Sequence, residues 1–164
     1  MSSQLDGNIH VNGTLTMKSI VLPADSVLDA SIPAGANVNA LKLQHQHRIL
    51  YAQPYDDCGD ERKVLHVVVG ATGTIQQFVA GMVAPCIGAA EITVDLLKNG
   101  TTILTAPITL DAGDAAYELV AAAVDDDELA QDDVLEISVT LDPAGGTEAG
   151  SGLFAALTVN ELPQ

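Results

Sequence analysis

Residues 135–141 alternate apolar and polar side chains without interruption. Leu135, Ile137, Val139 and Leu141 fall on one parity, and Glu136, Ser138 and Thr140 on the other. A two-residue period predicts a strand with one face buried. The pattern returns in Gly152–Val159, with Leu153, Ala155, Leu157 and Val159 on one face. Glu91–Lys98 and Thr101–Thr105 flank Asn99-Gly100. That dipeptide accepts the positive φ angles of a two-residue hairpin turn and sets Leu96 opposite Ile103. Lys63–Val69 is apolar on both parities and predicts a central strand. Thr74–Val83 predicts another, with a bulge near Gly81, and Tyr117–Ala123 a weaker one. Asp126–Gln131 suits one short helical turn. Seven or eight short strands with Gly, Asn, Asp or Pro between them predict an all-β fold: a jelly-roll-like antiparallel β-sandwich over residues 47–164.

Residues 1–46 read differently. Ile9 and Val11 alternate with polar residues, Asn12-Gly13 supplies a turn signal, and Leu15 and Met17 alternate again. Ile20, Val27, Leu28, Ile32, Val38, Leu41 and Leu43 follow, broken by Pro23 and by Pro33-Ala34-Gly35. They are too scattered to build a core, and an isolated hairpin is marginal in water. The expectation is an N-terminal extended arm with short hairpins. Its eleven apolar residues would contact the arm's own sandwich, identical subunits or a foreign surface.

Charge separates the two regions. Residues 1–46 carry Asp6, Asp25 and Asp29 against Lys18 and Lys42, whereas the other 19 acids face only Arg48, Arg62, Lys63 and Lys98. The chain as a whole is −16. Nucleic acid and anionic membrane are therefore not expected partners, since both are bound through clustered Lys and Arg. Two cysteines, Cys58 and Cys86, make no disulfide framework. The first residues hold no basic stretch followed by an apolar one, so cytosolic synthesis with reduced thiols is expected.

Few residues suggest chemistry. His45 and His47 are two apart, so an extended chain projects both to one face. Two nitrogens from one chain do not close a metal site. Three chains at a symmetry axis would bring six, and the competing reading is a pair of hydrogen-bonded linker histidines. Asp125-Asp126-Asp127-Glu128, with Asp132-Asp133, lacks the spacing of a calcium loop and reads as solvated. Asp56–Glu61 reads likewise. Gly70-Ala71-Thr72-Gly73 lacks the Lys and helix of a phosphate loop and predicts a turn. The chain contains no Gly-x-Ser-x-Gly and no His-Glu-x-x-His. No catalytic residue and no cofactor is expected, and the chain is not expected to be an enzyme.

His45–Pro54 leading into Arg62–Thr74, then Cys86–Ala90, Val94–Thr102, Asp132–Val139 and Gly152–Ala156, resembles the β-sandwich head decoration (cement) proteins of tailed bacteriophages. The resemblance spans most of residues 45–160. It implies a virion structural protein on the capsid exterior, made in the bacterial cytoplasm and bound to the major capsid protein and to identical subunits as a homotrimer. The nearly neutral arm would then face the shell and the acidic body the solvent. The competing function is a receptor- or glycan-binding head domain of a phage fibre or spike. Sugar sites commonly present exposed aromatic rings, and this chain has three Tyr, two Phe and no Trp.

Overall fold

The structure is a computed structural model that describes residues 44–56, 58–144 and 148–162. The eleven apolar arm residues from Ile9 to Leu43 lie outside the described residues.

Ten strands follow in chain order among the described residues. They are β1 (His45–Ala52), β2 (Glu61–Val67), β3 (Thr72–Ala84), β4 (Glu91–Lys98), β5 (Thr101–Thr102), β6 (Ile108–Leu110), β7 (Val120–Ala121), β8 (Glu128–Ala130), β9 (Val134–Asp142) and β10 (Ser151–Leu162). The first sheet runs β1-β10-β3-β7, with β8 also on β3. The second runs β2-β9-β4-β5, with β6 also on β4. Every pairing is antiparallel. The pairs are nested: the first strand takes the last, the second takes the ninth, β3 takes β7 and β8, and β4 takes β5 and β6. Successive layers of the nest fall alternately in the two sheets, which is the jelly-roll form of the sandwich.

The two-residue period explains the core between the sheets. Leu135, Ile137 and Val139 of β9, Leu96 of β4, Ile103, and Leu153 and Leu157 of β10 are all buried as the alternation requires. Phe78 of β3 is fully enclosed among them. The Asn99-Gly100 hairpin forms as expected. Asn99 has φ 52° and Gly100 φ 85°, and the Ile103 amide donates to the Leu96 carbonyl at 3.1 Å. The Asn99 side chain also fixes the turn to the start of β9. Its Oδ1 accepts from the Val134 amide at 2.9 Å, and its Nδ2 donates to Asp133 at 2.7 Å.

Four local expectations are corrected. Lys63–Val69 is no central strand: β2 is the edge of the second sheet, with Val64 52% exposed. Its apolar character reflects β propensity on an edge rather than burial on both faces. The irregularity in β3 lies at Gln76, where Thr158 pairs with Gln77 and Val159 with Ile75, and not at Gly81. Thr101–Thr105 keeps only two ladder residues. Asp126–Gln131 contains β8 and no helical turn, because residues 128–130 complete a ladder with Thr72, Gly73 and Thr74.

Candidate functional site

The edge strands β1 and β2 belong to different sheets and lie side by side along one rim of the sandwich, bridged by polar side chains. At one end the Tyr51 hydroxyl donates to Glu61 Oε2 at 2.5 Å, and the Lys63 ammonium stands 5.8 Å from the Tyr51 ring centroid. Burial, and then the hydrogen bond to Glu61, push the Tyr51 hydroxyl pKa well up. At the other end the bridge runs through Glu161.

Glu161 continues the parity of Leu153, Ala155, Leu157 and Val159, so its strand delivers a carboxylate to the inward face. It is 2% exposed and is the buried charged residue among the described residues. Such a group requires partners. Glu161 Oε2 accepts from the Gly70 amide at 2.7 Å and the Val69 amide at 3.2 Å. Gly70 is required here, because a Cβ at that position would stand 2.5 Å from the Leu162 carbonyl oxygen. The chain bends at Gly70 and Ala71 only, because Thr72 and Gly73 already open β3, and the Gly70 amide holds a side chain of the same protein.

Glu161 Oε1 faces two histidines. His66 Nε2, from β2, is hydrogen-bonded to it. His47 Nε2, from β1, lies 3.9 Å away. The His47 and His66 rings are 5.1 Å apart between centroids, and His45 stacks on His47 at 6.4 Å. Burial raises the Glu161 pKa, but the His66 hydrogen bond, the Gly70 amide and the charges of His66 and His47 together outweigh it. They hold the carboxyl below the usual Glu range.

The two-residue spacing alone pairs His45 with His47 as linker histidines. The structure confirms the shared face of β1 but places both histidines in a strand rather than a linker. The carboxylate arrives from β10, since His45 and Glu161 are register partners. The signal was present in the sequence: an acid at an inward position of an otherwise apolar parity marks a group that must be satisfied.

The acidic runs do local work. Asp126 pairs with Lys98, and Asp133 accepts from the Ala130 amide at 2.8 Å. Asp60 accepts from the Leu141 amide at 2.7 Å. Cys58 and Cys86 are buried and form no disulfide.

The outer face of the first sheet has a different character. A shallow concavity of about 580 Å³ crosses β1, β10 and β3, lined by residues that include Gln46, Arg48, Gln76, Gln77 and Thr158. Its lining contains Arg48 and no carboxylate. Leu50, 81% exposed, and Leu119, 56% exposed, also line it.

No family model and no curated protein matches the chain. Among solved structures it is similar to the C-terminal domain of EclA, a sugar-binding protein, at 20% identity, covering 77% of this chain and 86% of that one, with a TM-score of 0.34. It is also similar to a chain of infectious bursal disease virus, Gx strain, at 13% identity, covering 89% of this chain and 38% of that one, with a TM-score of 0.37. Desmodium yellow mottle tymovirus gives 11% identity, 99% and 97% coverage, and a TM-score of 0.32. Likenesses at these scores carry no argument about what the chain does, and the sandwich is read from its own strand pairing.

Proposed function

We propose that the chain is a virion structural protein: a decoration or cement protein that binds the outer surface of a tailed-phage head and stabilises it as a homotrimer. The sequence resemblance over residues 45–160 supports this reading. So does the jelly roll, an architecture used in viral capsid and lectin domains.

The observation that carries the proposal is the outer face of the first sheet. A chain of net charge −16 repels its own copies and any acidic surface. The concavity across β1, β10 and β3 escapes that repulsion, because it holds Arg48, neutral amides and the exposed side chains of Leu50 and Leu119. Exposed apolar residues within a neutral polar surround are characteristic of a protein-binding surface. The partners would be the major capsid protein and identical subunits. A lectin role gains less from this face, whose lining includes no aromatic ring.

The test is heat release of packaged DNA from purified undecorated heads, with and without added protein. The proposal expects release to move to higher temperature with the wild-type chain, and Leu50→Asp to lose that effect while remaining folded. Unchanged release with saturating wild-type protein contradicts it.

A further inference from the structure

We propose that His47, His66 and Glu161 form a binding site for one borderline divalent metal ion, with zinc as the reference case. The three residues come from β1, β2 and β10, and so from both sheets. Each offers one ligand atom, and the three atoms lie within 4.8 Å of one another.

Two imidazoles and a carboxylate are an established donor set for zinc, in which three protein ligands leave a fourth position open. Bonds of about 2.0–2.1 Å in a tetrahedral arrangement place ligand atoms roughly 3.3 Å apart. Bringing His47 Nε2 and Glu161 Oε1 from 3.9 Å to that spacing needs only a small side-chain adjustment. The His66–Glu161 hydrogen bond opens to admit the ion, and the proton on His66 Nε2 passes to solvent.

The surroundings favour a ligand over a simple hydrogen-bonded trio. Glu161 Oε2 is fully committed to the Gly70 and Val69 amides, which fixes the carboxylate plane and aims Oε1 at the histidines. Outer hydrogen bonds of this kind orient metal-ligating carboxylates. The His47 side chain is 36% exposed and that of His66 15%, so the site opens to solvent on the β1 side. An ion there would tie the two sheets together at their shared rim.

The test uses the full chain, purified without an affinity tag, stripped with a chelator and titrated with zinc chloride by calorimetry. Expected are one zinc per chain, a higher unfolding temperature, and a loss of about tenfold or more in affinity for both His47→Ala and His66→Gln. The cobalt-substituted protein should show nitrogen and oxygen coordination without a thiolate band. Three results overturn the proposal: no saturable binding near one equivalent, a cobalt–thiolate band, or zinc affinity unchanged in His47→Ala. The last decides alone if His66→Gln fails to fold, because His47 is the more exposed ligand.

Discussion

Glu161 and His66 stand 95 residues apart in sequence and on different sheets, yet they share a hydrogen bond at the rim of the sandwich. The bond joins the last strand of one sheet to the edge strand of the other. With the two backbone amides on Oε2, it accounts for a carboxylate sealed away from water.

Removing that carboxylate should be costly. Glu161→Ala strands the Gly70 amide and the His66 ring without their acceptor, and breaking a buried pair from one side costs about 3–5 kcal/mol. Glu161→Gln keeps an acceptor oxygen and should cost less. Urea denaturation in the presence of a chelator, comparing midpoints at equal slope, checks the order.

The Asn99 turn should resist replacement. Asn99→Ala places a residue ill suited to φ 52° and removes the side-chain bonds to Val134 and Asp133. A loss of about 1–3 kcal/mol is expected in the same denaturation assay.

Asp133 supplies a pH dependence. The Ala130 amide, partly opposed by desolvation and helped by Asn99 and Lys98, holds its carboxyl below the usual Asp range. A carboxylate whose folded pKa is depressed stabilises the fold above its unfolded pKa and loses that contribution as pH falls through the folded value. The stability difference between wild type and Asp133→Asn should therefore be full near neutrality and shrink only below about pH 4. A difference that instead grows in acid contradicts the assignment.

Core and edge should separate cleanly. Phe78→Ala, at a site with no exposure, should cost about 3–5 kcal/mol. Val64→Ala, on the outer side of β2 and 52% exposed, should stay within about 0.5 kcal/mol. A large loss at Val64 in the isolated chain would show that β2 is covered.

These contrasts mark what the sequence disclosed. Alternation on β9 and β10 and the Asn99-Gly100 turn rest on local chemistry, so their burial and register were legible. Lys63–Val69 was misplaced because β-branched residues suit edge and central strands alike, and only the pairing partner tells them apart. The histidine cluster was half legible. The spacing of His45 and His47 gave the shared face, but Glu161 reaches it through the β1–β10 ladder and His66 from the edge of the other sheet, and no local pattern encodes either pairing. The inward parity of Glu161 was the one available sign.

The central claim is attachment to a capsid, and co-sedimentation of the full chain with purified undecorated phage heads tests it most directly. The account predicts that the protein pellets with the heads and saturates at a fixed ratio to the major capsid protein, with Leu50→Asp pelleting less. Protein that stays in the supernatant at every concentration, while the heads pellet, contradicts it.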